Sequence, residues 1–359
     1  MKIGIITFHC AHNYGAVLQC YALQEFLKSL HHEVYVIDYR PDYFNRINLP
    51  FSIKRNVRKN LIKFVYGVCK ELFLLNISQK RSSRFEKFIS HRLHLISESS
   101  LYTDTTFDAY VYGSDQIWNT TMMNGKFDSV YTASFPMARN AKNIGYAVSM
   151  GHASLSYELC GRLKDLVRNF SGLSVRELSL QAFLSQVTGS TYPVVLDPTL
   201  LVGRNLFNDI ATNPIVKKPY VLIYQCVCVK ETEYIAKQIA NELHAEVITL
   251  FAGVSKQDKM SYASPEEFVG YFKYASCVVT TSFHGTVLSI LFNRPFYTVK
   301  IGNQIDARST DLLSDLGLQE RMVERIDRLH FKELDYEKVN ENLERLRQYS
   351  RDFLADNLR

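Results

Sequence analysis

The chain has 359 residues, of which 47% are hydrophobic and 22% charged, and its formal net charge is +6. This composition is typical of a globular protein and excludes an intrinsically disordered chain, and the length allows two domains with full cores. No run of about 18 apolar residues occurs, so the sequence predicts no membrane-spanning helix. The seven cysteines form no C-x-x-C pair, and their odd number argues against a disulfide framework. We expect buried thiols in a cytoplasmic protein rather than a metal site.

Strand-like and helix-like segments alternate along most of the chain, a pattern typical of parallel sheets built from βαβ units. The first series predicts an N-terminal Rossmann-like domain over residues 1–204, with strands at 2–8, 33–39, 107–112, 143–148, 173–175 and 194–196. The second predicts another Rossmann-like domain over 219–335, with strands at 220–225, 246–251, 277–280 and 295–299. The polar stretch 205–218 is the expected linker. A charged amphipathic helix over 336–359 is expected to pack back on the body.

Residues 41–100 depart from this rhythm and predict a helical, basic insertion in the first domain. Apolar residues recur there at helical spacing, and the segment 54–92 contains eleven Lys or Arg but only two acidic residues. Such a helix can lie on an anionic membrane surface. The alternative, which we favour, is a helical hairpin packed on the domain with a solvated basic face. Nucleic-acid binding is disfavoured because no recognised RNA- or DNA-binding module accompanies the segment.

Two doubly wound domains are expected to face each other across a cleft, and ligands of such folds bind there, at the carboxyl ends of the strands. The segment 281–286, Thr-Ser-Phe-His-Gly-Thr, joins a short apolar strand to the apolar body of a helix. Backbone N–H groups at a helix N-terminus favour a phosphate or carboxylate. Gly285 would let an anion approach the backbone, His284 adds acid–base chemistry near neutral pH, and Ser282 and Thr286 are further candidate ligands. The alternative is a plain turn with a capping Ser or Thr.

The loop after the first strand supplies a second set of candidates. Asn13, Tyr14 and Gly15 open a helix directly after the strand, where their polar groups would face the cleft. The alternative is that Asn13 only caps the helix. The single glycine is not a dinucleotide-binding fingerprint, because no G-x-G-x-x-G pattern occurs here.

The loop 113–119 holds the only Trp of the chain beside several polar side chains. Amides and carboxylates hydrogen-bond sugar hydroxyls, and an aromatic ring can lie against the apolar face of a sugar. The loop therefore predicts a glycan-binding surface built from Ser114, Asp115, Gln116, Trp118 and Asn119. The alternative is a plain turn with a core Trp.

Three basic residues are candidates for binding an anion in the same cleft. Arg176 stands where the strand 173–175 ends, and Arg forms bidentate bonds to carboxylate or phosphate. The alternative is that Arg176 pairs locally with Glu177. Lys300 and Arg308 follow the His284 helix, and either could reach the cleft.

Five segments in this order resemble the polysaccharide pyruvyl transferase family: 9–22, 113–119, 174–177, the Leu-Asp-Pro at 196–198, and 282–286. The resemblance covers residues 1 to about 317. It implies transfer of pyruvate from phosphoenolpyruvate to a pair of sugar hydroxyls as a ketal, and a fold similar to that of GT-B glycosyltransferases. Arg176 and His284 fall on the family's substrate-binding Arg and functional His, and a second basic residue is expected at Lys300 or Arg308. The run 9–12, His-Cys-Ala-His, departs from the expected pattern.

The resemblance implies a cytoplasmic pyruvyltransferase of cell-surface polysaccharide assembly. Contact with the inner face of the cytoplasmic membrane is left open. The first domain would bind the acceptor, a glycan or lipid-linked sugar, and the second would bind phosphoenolpyruvate. No cofactor or metal is expected besides this donor. One alternative is a GT-B glycosyltransferase that uses a nucleotide-sugar, in which the His284 helix would bind a diphosphate. Another is a non-catalytic glycan-binding protein that keeps the fold.

Overall fold

Six parallel strands form the sheet of the first domain. The computed structural model describes residues 1–44, 61–151, 155–251, 262–302, 306–324 and 331–359, with only the backbone described for 61–74. The strands are β1 (Lys2–Ile6), β2 (Glu33–Asp38), β3 (Leu95–Ser97), β4 (Ala109–Tyr112), β5 (Lys142–Val148) and β6 (Gly172–Val175). Their spatial order is β3-β2-β1-β4-β5-β6, which is the order of a doubly wound Rossmann domain.

The second sheet has five parallel strands. They are β7 (Tyr220–Gln225), β8 (Glu246–Phe251), β9 (Cys277–Thr280), β10 (Phe296–Val299) and β11 (Met322–Val323), in the order β11-β10-β9-β7-β8. This is the other common doubly wound order. Strands such as β7 and β9 are buried along their whole length, as expected for parallel strands covered by helices on both faces. The predicted fold class, two Rossmann-like domains facing a cleft, is confirmed.

Helices cover both sheets and connect their strands. They are α1 (Tyr14–Ser29), α2 (Leu61–Arg92), α3 (Ser100–Thr103), α4 (Tyr157–Leu166), α5 (Leu178–Thr188), α6 (Pro198–Leu201), α7 (Arg204–Ile210), α8 (Lys230–Glu242), α9 (Pro265–Tyr274), α10 (Phe283–Leu291), α11 (Ala307–Asp315) and α12 (Tyr336–Asn357). The sequence contains the signals that start several of these helices. Ser264 and Glu267 form a reciprocal capping box at α9, with Pro265 at its first position.

The segment assigned to an insertion contains α2, which connects β2 to the edge strand β3. Its C-terminal half buries Phe85, Phe88 and Ile89 in the same core as α1. The expectation that residues 41–100 leave the βαβ rhythm is therefore wrong for this part, because β3 lies within that range. Residues 45–60 and the side chains of 61–74 are outside the described residues, so membrane contact stays a prediction. None of the described helices is both long and apolar enough to cross a membrane.

The two domains contact each other through α1, α2 and α9. The Tyr14 ring stacks on Phe268, with ring centroids 4.0 Å apart, and its hydroxyl donates to the Ala263 carbonyl at 2.8 Å. Arg81 of α2 donates to the Tyr14 hydroxyl at 3.0 Å, with its guanidinium over the Tyr14 ring. Arg84 pairs with Glu267 of α9. Arg84 thus binds the second domain directly, whereas Arg81 holds Tyr14 in the domain contact.

The last helix, α12, follows the second sheet in sequence but packs on the first domain. Arg347 and Arg351 donate to the carbonyls of Leu200 and Leu201 in α6, at 2.7 and 3.1 Å. The Ser350 hydroxyl accepts from the N–H of Leu196 at 3.0 Å. The helix therefore supports the segment that leads into α6, which carries part of the site described next.

The cysteines are divided between the interior and the surface. Cys10, Cys20 and Cys277 are buried, as expected, and burial raises the pKa of all three thiols, to about 12 for Cys10 and Cys277. Cys226 and Cys228 are exposed in the loop after β7, which corrects the expectation that they would be buried. Strand β7 ends at Gln225, one residue before Cys226, so neither thiol lies in the buried strand.

Candidate active site between the domains

A buried carboxylate, Asp197, lies at the centre of the site. It is the N-cap of α6 and accepts from the Thr199 N–H at 3.0 Å and the Thr199 hydroxyl at 2.6 Å through Oδ1. Oδ2 accepts from Arg176 Nη1 at 2.8 Å and from the Ser114 hydroxyl at 3.0 Å. Burial alone would raise the pKa of Asp197, but the nearby His284 and the hydrogen bonds from Arg176 and Thr199 outweigh burial and hold the pKa well below its usual range. Asp197 is therefore a fixed negative charge.

Arg176 is enclosed by carboxylates. Only 2% of its side chain is exposed, and it lies 2.8 Å from Asp197, 3.5 Å from Glu177 and 4.0 Å from Asp115. Burial would lower the pKa of Arg176, but these three carboxylates raise it. Its Nε and Nη2 atoms have no hydrogen-bond acceptor among the described residues. Arg176 stands at the end of β6, as predicted. It also pairs with Glu177, which was the alternative interpretation.

His284 projects from the first turn of α10 into the first domain. Its Nε2 atom lies 3.7 Å from Asp197 Oδ2 and, although buried, has no hydrogen-bond partner in the described structure. A Cβ atom on Gly15 would lie 2.1 Å from His284 Nδ1. Gly15 therefore lets the start of α1 approach the imidazole, a contact that no other residue type allows.

The N-terminus of α10 faces the cleft. Ser282 is its N-cap, and its hydroxyl accepts from the Gly285 N–H at 3.4 Å. The N–H groups of Phe283 and His284, in the first turn, lack intrahelical acceptors and carry the positive end of the helix dipole. A Cβ atom on Gly285 would lie 2.2 Å from the Thr280 hydroxyl. Gly285 is thus required by packing against β9, a reason that the sequence did not reveal.

Between the domains the cleft contains about 750 Å³ of space, part of it open to solvent. Its polar lining residues include Asp115, Gln116, Ser282, His284 and Arg308. Its apolar lining residues include Phe8, Ala11, Ala16, Phe44 and Met122. A ligand that carries anionic and hydroxyl groups as well as apolar surface would match this mixture.

Arg308 is the Arg residue among the described residues that line the cleft. Its guanidinium lies 5.4 Å from the centre of the Phe283 ring, and that of Arg176 lies 5.5 Å from the same ring. Burial and the Arg176 charge lower the pKa of Arg308. In the described part of the chain no carboxylate lies within ion-pair distance of Arg308. Arg308 thus has no ion-pair partner among the described residues, although Glu177 and Asp115 attract its charge from a greater distance.

Lys300 is placed differently. It pairs with Glu324 at 2.6 Å at the partly exposed end of β10 and does not line the cleft. The choice between Lys300 and Arg308, left open by the sequence, is thus resolved geometrically: of the two, Arg308 lies at the cleft.

The predicted sugar-binding loop is only partly at the cleft. Asp115 and Gln116 line it, and Asn119 donates to the Gln116 side chain at 2.8 Å. Trp118 is fully buried and its indole N–H donates to the Tyr131 carbonyl at 3.1 Å. The prediction that Trp118 lies against a sugar is wrong, because neither face of the ring is accessible; Trp118 is the core residue considered as the alternative.

The remaining candidates divide between the cleft and the framework around it. Asn13 lines the cleft and also caps α1, accepting from the N–H groups of Gly15 and Ala16 at 2.9 and 3.3 Å. Tyr14 lies in the domain contact described above, not along the cleft. The Thr286 hydroxyl is buried against Thr298 at 2.7 Å. Tyr14 and Thr286 therefore support the site without reaching its interior.

Asp197 had no assigned role in the sequence analysis, although it lies in one of the resembling segments. An Asp followed by Pro at the end of a predicted strand is a helix-start signal. That signal also places a carboxylate at the carboxyl end of the sheet, and it could have identified Asp197. Phe283 carried no such signal, since an apolar residue at a helix start gives no indication of a neighbouring cation. Across the described ranges, no group of three His, Cys, Asp or Glu residues is arranged to hold a metal ion.

Three solved structures overlap with most of the chain at low sequence identity. The S. aureus MnaA–UDP co-structure overlaps with a TM-score of 0.43 at 10% identity, covering 98% of this chain and 90% of that chain. A putative UDP-N-acetylglucosamine 2-epimerase from Listeria monocytogenes gives 0.43 at 8% identity, covering 99% and 90%. The E. coli heptosyltransferase WaaC with ADP gives 0.39 at 12% identity, covering 96% and 100%. All three TM-scores are below 0.5, so the domain architecture rests on the strand orders given above.

No curated protein is significantly similar to the chain in sequence. The family model described as polysaccharide pyruvyl transferase matches residues 13–303. This range contains Asp197, Arg176 and His284, and it covers well over half of the chain. The resemblance found in the sequence is confirmed, and the chain belongs to the polysaccharide pyruvyl transferase family.

Proposed function

We propose that the protein transfers a pyruvyl group from phosphoenolpyruvate to two hydroxyls of a glycan or lipid-linked sugar in cell-surface polysaccharide assembly. The observation that carries the proposal is a set of anion-binding groups at one end of the cleft. There Arg308, the N-terminus of α10 and His284 converge, and Arg176 lies on the same Phe283 ring as Arg308. Phosphoenolpyruvate carries a phosphate and a carboxylate, so it would relieve the repulsion between the two guanidinium groups.

Each group of the donor finds a matching group in the site. The free N–H groups at the start of α10 favour a phosphate or a carboxylate, and the Arg308 guanidinium can bind either one in bidentate fashion. Arg176 does not itself line the cleft, and Asp197, Glu177 and Asp115 already surround its charge at 2.8, 3.5 and 4.0 Å. Asp115 and Gln116, on the first domain, would then face the sugar hydroxyls.

The reaction requires two proton transfers and one departing phosphate. A sugar hydroxyl adds to C2 of phosphoenolpyruvate while its methylene carbon gains a proton and becomes a methyl group. The second hydroxyl then replaces the phosphate at C2 and closes the ketal. The sugar loses two hydroxyl protons in all. One is matched by the proton that the methylene carbon gains, and the other leaves with the phosphate. His284 is the residue placed to move protons in this sequence, an effect typically worth ~10²–10⁴-fold in rate.

The test is to incubate the protein with phosphoenolpyruvate and a glycan acceptor, and to follow phosphate release and the proton NMR spectrum of the glycan. The proposal predicts phosphate release that depends on the acceptor, together with a new ketal methyl signal. Phosphate release without a ketal signal would contradict it. Transfer of a sugar from a nucleotide-sugar, with no turnover of phosphoenolpyruvate, would establish the glycosyltransferase alternative instead.

A further inference from the structure

Both nitrogens of the His284 imidazole face residues of the first domain, although His284 belongs to the second. Nε2 points at Asp197 Oδ2, 3.7 Å away. On the Nδ1 side, the backbone of Gly15 is so close that a Cβ atom there would lie 2.1 Å from the nitrogen. The ring thus sits in a socket formed by the start of α1 and the N-cap of α6.

The two nitrogens differ in what they can do. Nε2 is buried and has no hydrogen-bond partner among the described residues, so it cannot reach a ligand in the cleft. The nitrogen left for proton exchange with a ligand is therefore Nδ1. For Nδ1 to accept a proton, the neutral ring must carry its own proton on Nε2, and a hydrogen-bond acceptor opposite Nε2 favours that tautomer.

Asp197 is held so that one oxygen faces this position. Oδ1 accepts from the Thr199 N–H and hydroxyl, which fixes the carboxylate at the start of α6. Oδ2 accepts from Arg176 and Ser114, and it is the oxygen nearest His284 Nε2. Because a carboxylate oxygen accepts several hydrogen bonds, Oδ2 keeps the capacity to accept the Nε2–H as well.

We propose that Asp197 is the positioning residue for His284. Asp197 accepts the Nε2 proton and orients the imidazole so that Nδ1 exchanges protons with the ligand, and Gly15 leaves the room for Nδ1 to do so. The socket belongs to one domain and the imidazole to the other, so the acid–base group is complete only when the domains are together. This inference rests on the proposed function for the identity of the reaction, but its main test does not require turnover.

The main test is ¹⁵N NMR of the imidazole side chains in the ligand-free protein, with the His284 signals assigned by their loss in His284→Gln. The proposal predicts that wild-type His284 carries its neutral-form proton on Nε2, and that Asp197→Asn shifts the signals away from this tautomer. Thr199→Val is the matched control, because it removes one hydrogen bond to Asp197 but leaves the charge opposite Nε2. A wild-type imidazole protonated on Nδ1, or an unchanged spectrum in a folded Asp197→Asn variant, would overturn the proposal.

Asp197→Asn could fail to fold, since it also leaves Arg176 with less compensation, so a second variant tests the socket from the other side. Gly15→Ala does not touch Asp197 or Arg176, yet its methyl group must displace the imidazole. We expect kcat to fall on the order of 10²-fold, as a small misplacement can cause, with KM for phosphoenolpyruvate changed far less.

Gly161→Ala, in α4, is the control for a Gly-to-Ala change, because a Cβ atom there meets no atom within 4 Å. It should leave kcat unchanged. Equal kcat in Gly15→Ala and Gly161→Ala would contradict the socket. If phosphoenolpyruvate is not turned over at all, the proposed function fails, but the NMR result still decides whether Asp197 positions His284.

Discussion

Arg308 and Lys300 both follow the His284 helix in the sequence, but they end in different electrostatic surroundings. Lys300 forms an ion pair with Glu324, 2.6 Å away. Arg308 faces the cleft, next to Phe283 and the charge of Arg176. The sequence supplied both candidates, but it could not separate them, because the choice depends on which way the chain turns after β10.

The first prediction compares these two cations. Arg308→Ala should raise the Kd for phosphoenolpyruvate about 10- to 100-fold, since hydrogen bonds to charged groups contribute about 1.5–3 kcal/mol. Lys300→Ala should leave the Kd nearly unchanged. Isothermal titration calorimetry on the folded variants measures both, and equal losses in the two would contradict the assignment of Arg308 to the site.

The second prediction concerns His284 itself. His284→Gln keeps a polar side chain of similar size in the socket, so the fold and donor binding should persist. Turnover should fall at least ~10²-fold, because glutamine cannot transfer a proton. Steady-state phosphate release is the measurement. Near-normal kcat would show that His284 has only a structural role.

The third prediction concerns Arg176, whose neighbours give it a larger structural role than its sequence position suggested. Arg176→Ala would leave Asp197 and Glu177 buried without their counter-charge. Breaking a buried pair in this way typically costs about 3–5 kcal/mol, so the melting temperature should fall markedly. Arg168→Ala, which removes an exposed Arg paired with Asp165, is the matched control. An Arg176→Ala variant as stable as that control would contradict the ion-pair cluster.

The sequence predicted most strands and the helix that contains His284, because buried parallel strands and buried helices contain apolar runs. It missed the short edge strand β3, which has only three residues and no buried run. It also placed Trp118 on a binding surface. Local polarity around a Trp does not show whether its ring faces the cleft or the core, and here the neighbouring helices and loops enclose it.

The carboxyl ends of β1 and β2 are joined by an ion-pair network that depends on pH. Asp38, at the end of β2, lies 2.8 Å from the buried His9 and 2.6 Å from Arg40. Burial would raise the pKa of Asp38, but the bonds to His9 and Arg40 lower it from 3.8 to about 2. Because the folded pKa is depressed, the stabilisation is present above the unfolded pKa and is lost as the pH falls towards the folded one.

The fourth prediction follows from the lowered pKa of Asp38. Asp38→Asn should lower the free energy of unfolding by about 1–2 kcal/mol at pH 6–7, after allowance for partial solvent screening. The difference from wild type should shrink as the pH falls from about 4 towards about 2, where Asp38 becomes protonated. Urea unfolding at several pH values measures it. A difference that stays constant over this range would show that the network does not depend on the Asp38 charge.

The two domains contain sheets of different strand order, and residues that follow the carboxyl ends of β1, β4, β7 and β9 line the cleft between them. The domain contact through Tyr14 and Phe268, and the return of α12 to the first domain, bring Asp197 and His284 together from distant parts of the chain. This pairing could not be read from the sequence, because it depends on how the domains are oriented. The βαβ pattern, by contrast, was sufficient to predict both domains.

Thermal unfolding in the presence of each ligand distinguishes a phosphoenolpyruvate site from a nucleotide-sugar site in this cleft. At about 100 times its Kd, a ligand stabilises the folded state by roughly 2.7 kcal/mol. We expect phosphoenolpyruvate to raise the melting temperature of the wild-type protein, Arg308→Ala to lose most of this rise, and Lys300→Ala to keep it. A rise with a nucleotide-sugar and none with phosphoenolpyruvate would show that the cleft does not bind phosphoenolpyruvate.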